Sequence, residues 1–262
     1  MPLYTDDALI LRTYKLGEAD RIVVFLTADR GKRRGVAKGA RRLRSRFSGG
    51  LEPFTRARVA YVERENRDLV RLTYVEPVSS PIVSTSADVL GYVGYFAELL
   101  DEWALEGDPS ERLFRLGASV SAAVVTDVPV ERIARYFEYW LLRLQGVYPS
   151  VVACHRCGAD LKDRGAVIAA HHAVFVCWEC QPVEYGPDLS PRALEFLRAA
   201  ATVPPERLGE VTLRADAARE LAAAHRLLIT THLEKELRST RVLRELGFPG
   251  SDGGPIIGDG QR

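Results

Sequence analysis

The sequence lacks any hydrophobic run long enough to cross a bilayer, so it does not predict an integral membrane protein. Its first residues, MPLYTDDALILRTYKLG, also lack the basic and then apolar regions of a secretory signal. We therefore expect a cytoplasmic protein. Hydrophobic residues make up 47% of the 262 residues and charged residues 27%, which is typical of a globular protein with enough apolar material for a core.

The common sequence motifs of enzymes are also absent. The chain contains no G-x-x-x-x-G-K-S/T phosphate loop, no G-x-G-x-x-G dinucleotide fingerprint, no H-E-x-x-H protease motif and no G-x-S-x-G nucleophile elbow. His225 and His232 lie on one predicted helix, and surface or capping histidines are their more common explanation. The sequence therefore predicts a protein that is not an enzyme.

Cysteine is scarce, and all four cysteines lie in one short segment. CHRC supplies Cys154 and Cys157, and CWEC supplies Cys177 and Cys180, a spacing typical of paired zinc ligands. Two disulfides or unrelated thiols are the alternatives, but a cytoplasmic location argues against disulfides. Four thiolates complete a tetrahedral shell and leave no open position for catalysis. We therefore predict one structural Zn²⁺ per chain, with a short strand or hairpin between the two pairs.

A catalytic zinc site of the deaminase type is not predicted. Such a site combines C-x-x-C with an H-x-E acid–base motif and a proline before the first cysteine. Here His171 and His172 lack the glutamate, and Val176 precedes Cys177.

The first 80 residues alternate between apolar or β-branched segments and short turns, which predicts about five strands. The predicted strands are 8–13, 21–27, 32–38, 53–63 and 68–76. Five strands most simply form a closed barrel, and the OB-fold is the common nucleic-acid-binding version. From about residue 85 the apolar residues recur at helical spacing, apart from the cysteine segment. We therefore predict an α+β multidomain protein, in which an OB-type barrel precedes an all-α domain with an inserted four-cysteine zinc-binding segment.

The predicted domain boundaries follow these changes of pattern. The chain divides into an OB-fold DNA-binding domain (1–80), a first helical part (81–150), a zinc-binding segment (151–186), a second helical part (187–246) and a disordered tail (247–262). The tail is half glycine and proline, a composition that disfavours a packed core.

Positive charge is concentrated near the N-terminus, although the whole chain has 36 Lys and Arg against 35 Asp and Glu. The stretch RGKRRGVAKGARRLRSRF, here called the basic run, contains nine cations and no acid. The nine are Arg30, Lys32, Arg33, Arg34, Lys38, Arg41, Arg42, Arg44 and Arg46. Such clusters usually persist because a polyanion binds them, so we predict nucleic-acid binding, with Lys38, Arg41 and Arg42 as leading contacts. A solvated loop is the alternative.

Three aromatic residues lie in or near the basic run. Tyr14, Phe47 and Phe54 are candidates for stacking on nucleic-acid bases, which needs an exposed ring beside the cations. Packing in the core or at its rim is the alternative for each of them.

Several stretches, in order, resemble the RecO family of bacterial recombination mediators. They are LILRTYKLGEADRIVVFLTADRGKRRGVAKGARR, LEPF, YFEYWLLRLQGVYPSVVACHRCG, CWEC and ELRSTRVLREL. The resemblance covers roughly residues 3–246. It implies an N-terminal OB domain, a helical domain and a zinc-binding segment, although only some relatives have the cysteines.

The resemblance also implies a function. It implies binding of single- and double-stranded DNA, strand annealing, and action with RecR to help load RecA onto DNA coated by single-strand-binding protein. For this chain the implied partners are DNA, RecR and the C-terminal tail of single-strand-binding protein, in a nucleoid-associated location. A zinc-dependent nucleic-acid enzyme and an RNA-binding OB-fold protein are the alternatives.

The C-terminal tail of bacterial single-strand-binding protein, an implied partner, is acidic and ends in apolar residues. A protein that binds such a tail needs cations beside an apolar groove. The predicted helix 130–145 carries three arginines on one stripe with a tyrosine, opposite its apolar face. We predict this stripe as a partner-binding site, and an ordinary solvated helix face is the alternative. Its residues are Arg132, Arg135, Tyr139 and Arg143.

Overall fold

The computed structural model describes residues 2–47, 49–65, 67–83, 86–169, 174–180 and 186–245. Its N-terminal part is a closed barrel whose neighbouring strands follow the order β1-β2-β3-β5-β4. The strands are β1 Leu3–Leu16, β2 Asp20–Thr27, β3 Gly31–Ala37, β4 Arg56–Val62 and β5 Val70–Ser79. β3 and β5 are parallel and the other four pairs are antiparallel, as in an OB-fold. The predicted five-stranded barrel is confirmed.

Residues 8–11 of β1 and 23–27 of β2 are buried on both faces, as their continuous apolar sequences suggest. Ile10 and Phe25 face each other inside the barrel, whereas their neighbours Leu9 and Leu26 point outward into the core of the helical domain. Alternation along a strand places these two pairs on opposite faces. Burial of each such side chain contributes about 1.5–3 kcal/mol, so the barrel and the helices share a stabilising apolar contact.

Six α-helices lie in the described part of the chain after the barrel. They are α1 Ala87–Trp103, α2 Glu111–Ala123, α3 Val130–Leu144, α4 Pro191–Ala200, α5 Ala215–Leu233 and α6 Arg238–Glu245. Serine caps begin two of them: Ser86 Oγ accepts from the Val89 N–H, and Ser190 Oγ accepts from the Ala193 N–H. None of the described helices is both long and apolar enough to cross a membrane.

Helix α2 lies close to the barrel because residue 117 has no side chain. A Cβ atom at Gly117 would lie 2.6 Å from Leu9 Cδ2 and 2.7 Å from Leu100 Cδ1. One turn further on, the buried Ser121 hydroxyl donates to the Phe54 carbonyl oxygen at 2.8 Å. These contacts fix α2 against both β1 and α1.

Two antiparallel strands, β6 Ala166–Ala169 and β7 Val174–Val176, lie between the two cysteine pairs, as predicted. A third strand that was not predicted, β8 Asp188–Leu189, joins them in a small sheet of order β7-β6-β8. His171 and His172, between β6 and β7, lie outside the described residues. The tail predicted to be disordered, 247–262, also lies outside them.

Candidate metal centre and nucleic-acid interface

The four cysteines meet at one point beside the small sheet. Their Sγ atoms all lie within 4.8 Å of one another, and Cys157 Sγ is 3.8 Å from Cys177 Sγ. Four sulfurs at Zn–S distances of about 2.3 Å from a tetrahedral ion are about 3.8 Å apart, so the cluster fits such an ion. Cys154 and Cys177 are buried, whereas Cys157 is exposed and Cys180 is half-buried. A four-thiolate shell leaves no open position for a substrate.

Backbone geometry prepares the first cysteine pair for metal binding. Gly158, with a φ of 72°, closes the turn by donating its N–H to the Cys154 carbonyl oxygen at 2.9 Å. The Cys177 N–H donates to Cys154 Sγ at 3.3 Å. Burial acts to raise the pKa of the Cys154 thiol, but N–H donors from Cys177 and Cys157 outweigh it and lower the pKa to about 6. Cys154 can therefore bind a cation as a thiolate at neutral pH.

The nine cations of the basic run fall into two groups. Four lie in β3 or just before it, and each of them is held by a carboxylate. The pairs are Arg30–Asp6 (3.6 Å), Lys32–Asp101 (3.3 Å), Arg33–Glu63 (3.2 Å) and Arg34–Glu106 (3.0 Å). Arg30 also lies 3.7 Å from the ring centroid of Tyr4. These four side chains are therefore engaged within the protein.

The other five cations follow β3 in a loop and are all exposed. They are Lys38, Arg41, Arg42, Arg44 and Arg46. None of the five pairs with a carboxylate in the described part of the chain. Arg41 has a structural contact instead, because its Nη1 donates to the carbonyl oxygens of Gly17 and Glu18 at 3.0 and 2.9 Å. Arg41 therefore ties the loop to the β1–β2 turn, whereas the side chains of Lys38 and Arg42 donate no such hydrogen bond to the described residues.

Three further cations, outside the basic run, lie beside Lys38. They are Arg64, Arg67 and Arg71. Together with Lys38, Val36 and Leu69, they line a cleft of about 380 Å³ next to the β4–β5 connection. Asp68 is the acidic residue of this lining. No local pattern in the sequence indicates this grouping, because it arises only when β3 pairs with β5 to close the barrel.

A row of outward-facing side chains crosses the barrel and reaches this cleft. Strand pairing places Tyr14 opposite Ile22, Ile22 opposite Val36, and Val36 opposite Arg71. Tyr14 is exposed, and Ile22 and Val36 are half-buried. We call this row and the cleft the binding face. It combines cations with an aromatic ring on β1 and aliphatic side chains on β2 and β3, the strands with which OB-folds usually bind oligonucleotides.

Of the three aromatic candidates for base stacking, Tyr14 alone is accessible. Phe47 and Phe54 are 2% and 0% exposed. Phe47 lies in the barrel core, and Phe54 packs against Phe96 with ring centroids 5.6 Å apart. The packing alternative is therefore confirmed for these two residues.

The exposed stripe predicted on α3 is not formed. Arg135 and Tyr139 are only 4% and 3% exposed, because α5 packs along this side of α3. Arg132 Nη1 donates to the Leu208 carbonyl oxygen at 3.0 Å, and Arg143 Nη1 donates to the Tyr139 hydroxyl at 2.8 Å. The spacing of apolar residues in α3 identified the buried face that carries Ile133 and Phe137. It did not identify the second buried face, which carries Arg135 and Tyr139. The four residues therefore do not present a common surface to a peptide.

Arg135 belongs to a buried polar network centred on Glu138. The Glu138 carboxylate accepts from Arg135 Nη2 at 2.9 Å, the Tyr95 hydroxyl at 2.8 Å and His225 Nδ1 at 2.8 Å. Burial acts to raise the pKa of Glu138, but Arg135 and His225 outweigh it and lower the pKa. Burial lowers the pKa of His225, so its imidazole is neutral. His225 therefore carries its proton on Nδ1, and its Nε2 accepts from the Tyr148 hydroxyl at 2.9 Å.

The two histidines of α5 thus have different environments. His225 is fully buried, so the expected surface or capping position is wrong for it. His232 is exposed and stacks on Trp103, with ring centroids 5.7 Å apart, near the C-terminal end of α5. Neither histidine belongs to a group that could hold a metal ion in the described part of the chain.

Comparison with known proteins matches both parts of this architecture. The family model described as "Recombination protein O N terminal" matches residues 1–81, and that described as "Recombination protein O C terminal" matches residues 85–241. Three relatives carry the name DNA repair protein RecO. The Koribacter versatilis protein is 38% identical over 62% of this chain and 66% of its own length. The Geobacter metallireducens protein is 32% identical over 92% of this chain and 96% of its own length. The Anaeromyxobacter dehalogenans protein is 34% identical over 91% of this chain and 95% of its own length. The chain therefore belongs to the RecO family of DNA repair proteins.

Proposed function

We propose that the protein is a non-enzymatic mediator of recombinational repair that binds single- and double-stranded DNA and promotes strand annealing. With RecR, it helps load RecA onto DNA coated by single-strand-binding protein, and it acts in the cytoplasm at the nucleoid. The observation that carries this proposal is the binding face, where exposed cations border an aromatic and aliphatic strip. Membership of a DNA repair family supports it.

The number of cations beside the binding face sets the expected salt dependence. Seven exposed cations in the loop and the cleft form no ion pair with a described carboxylate. They are Lys38, Arg42, Arg44, Arg46, Arg64, Arg67 and Arg71. Each phosphate contact on a single strand contributes about 0.7 to the slope of log K against log salt. If all seven bind phosphates, the slope is therefore about −5.

The double variant Lys38→Gln/Arg71→Gln tests the cleft directly. Loss of two contacts should flatten the single-strand slope by about 1.4 and weaken binding by about 70-fold at 50 mM salt. Arg112→Gln/Arg115→Gln removes the same charge from exposed positions on α2 and should leave the slope unchanged. Fluorescence anisotropy with a labelled oligonucleotide over a salt series measures both effects.

Two results would contradict parts of this proposal. An equal slope for wild type and for a folded Lys38→Gln/Arg71→Gln protein would overturn the binding face as the DNA site, because it would place DNA elsewhere or show that the cations are only solvated. The other is preferential binding of RNA in competition with DNA of equal length. The mediator role is tested separately, by annealing of complementary strands coated by single-strand-binding protein in the absence of ATP.

We also infer that the cysteine cluster holds one structural Zn²⁺ per chain. The sulfur separations fit a tetrahedral ion, and four sulfur ligands favour zinc over oxygen-preferring cations. The ion would join the turns that carry Cys154 and Cys177 to the small sheet, and it would supply stability rather than chemistry.

Binding of the tail of single-strand-binding protein remains part of the proposal, but the stripe on α3 is no longer its site.

A further inference from the structure

The segment that follows α1 lies along the start of β3. The Lys32 N–H donates to the Leu105 carbonyl oxygen at 3.3 Å, and the Gly107 N–H donates to the Lys32 carbonyl oxygen at 3.0 Å. Gly31 allows this approach, because a Cβ atom there would lie 1.9 Å from the Asp108 carbonyl oxygen. The helical domain therefore contributes an extra pairing partner to the barrel at one end of the binding face.

This segment and α1 bring carboxylates to the cations at that end. Glu106 binds Arg34 with two hydrogen bonds, Arg34 Nε to Oε1 at 3.0 Å and Arg34 Nη2 to Oε2 at 3.2 Å. Asp101 lies 3.3 Å from Lys32 Nζ and 3.4 Å from Arg12 Nε. Acids of the helical domain thus neutralise three barrel cations.

Arg34 would otherwise extend the binding face. It is two residues before Val36 on β3, so both side chains point outward on the same face. On the neighbouring strand, Ile22 lies opposite Val36, whereas Val24, opposite Arg34, is 3% exposed and packs in the core of the helical domain. The exposed surface beside Val36 therefore ends at the Arg34 guanidinium group, which Glu106 already binds.

The Arg34–Glu106 pair differs from the Lys32–Asp101 pair in its access to solvent. The side chains of Arg34 and Glu106 are 47% and 44% exposed, whereas those of Lys32 and Asp101 are 18% and 15% exposed. An exposed pair is weak and screened by salt. A guanidinium group binds phosphate with the same two-pronged geometry that it uses for a carboxylate. Arg34 is therefore accessible to a phosphate of bound DNA once Glu106 no longer holds it, whereas Lys32 has little access to solvent.

We propose that Glu106 is an internal competitor that keeps Arg34 from DNA phosphates and so limits both the affinity and the length of the binding face. This inference rests on the proposed function, because it requires DNA on the binding face. In Glu106→Gln, Arg34 becomes available and adds one phosphate contact. The single-strand slope should then become steeper by about 0.7, and affinity should rise about eightfold at 50 mM salt and about threefold at 200 mM salt.

Two matched variants separate this effect from a general change of charge. Glu111→Gln removes the same charge from an exposed position on α2, where its carboxylate pairs only with Arg115 among the described residues. It should leave slope and affinity at wild-type values. Arg34→Gln/Glu106→Gln removes the cation that Glu106→Gln releases, so its slope should return to that of wild type. Thermal melts of all variants check that they fold.

The outcomes are distinguishable. The inference is overturned if Glu106→Gln binds like wild type, if Glu111→Gln gains as much, or if the double variant keeps the gain. In each of these cases, salt-dependent binding by the wild-type protein would leave the proposed function standing. A wild-type protein that binds no DNA would overturn the proposed function, and this inference with it.

Discussion

Replacement of Glu138 by glutamine should destabilise the protein more than any exposed charge change. The Arg135 and Glu138 side chains are 5% and 3% exposed, so water does not screen them. Glutamine keeps the size of the side chain but leaves the Arg135 charge buried without a counter-charge. Removal of one partner of a buried pair costs about 3–5 kcal/mol. For a chain of this size that corresponds to a fall in Tm of about 6–20 °C.

Urea unfolding of the zinc-loaded protein, followed by circular dichroism, measures this cost. Glu195→Gln is the matched control, because it makes the same chemical change at an exposed position on α4. It should change the free energy of unfolding by about 0.5 kcal/mol or less, as is usual for a surface position. The double variant Arg135→Met/Glu138→Gln carries no buried charge at either position. It should therefore be more stable than Glu138→Gln alone.

The reasoning about the buried pair would be refuted by two results. In the first, Glu138→Gln unfolds with a free energy within about 1 kcal/mol of wild type, below the range expected for an uncompensated buried charge. In the second, the double variant is less stable than Glu138→Gln. That would mean that packing of the Arg135 side chain, rather than its charge, dominates at this site.

Two further predictions concern the cysteine cluster and pH. Elemental analysis should find one zinc per chain. Cys157→Ser should lower both metal content and Tm, because apparent zinc binding supplies about 10–16 kcal/mol in small zinc sites. A Cys157→Ser protein with wild-type metal content and Tm would contradict this. Burial lowers the pKa of His225 below its usual 6.5, so the unfolded chain binds more protons than the folded chain. The free energy of unfolding should therefore fall as pH drops below about 6.5, by up to about 1.4 kcal/mol per pH unit. His225→Gln should reduce that dependence in urea titrations at fixed zinc, and an unchanged dependence would exclude His225 as its source.

The barrel and the cysteine cluster could be predicted because their signals are local. Alternation of Val70, Arg71 and Leu72 at the start of β5 marks one buried and one exposed face, and the continuous apolar residues of β2 mark a strand that is largely covered on both sides. The two C-x-x-C pairs are likewise readable from spacing alone. The structure then places Cys157 and Cys177 at the separation that a tetrahedral ion needs.

The partners of individual charges could not be predicted, because they lie far apart in the sequence. Arg34 and Glu106 are separated by 72 positions, and His225 and Glu138 by 87. Helical spacing on α3 showed where Ile133 must be buried. It did not show that α5 would cover Arg135 on another side of the helix. Burial of a charge is decided by packing between elements, which no local pattern reports.

The division of the basic run changes how its mutations must be interpreted. Charge reversal at Arg33 would leave Glu63 facing a like charge, so a loss of DNA binding there could reflect damage to the barrel. Arg41 has the same ambiguity, because it holds the loop against the β1–β2 turn. Arg42 is exposed and forms no ion pair with a described carboxylate. Substitution of Arg42 should therefore change the salt slope without changing Tm, whereas substitution of Arg33 should lower Tm, and only the former measures contact with DNA.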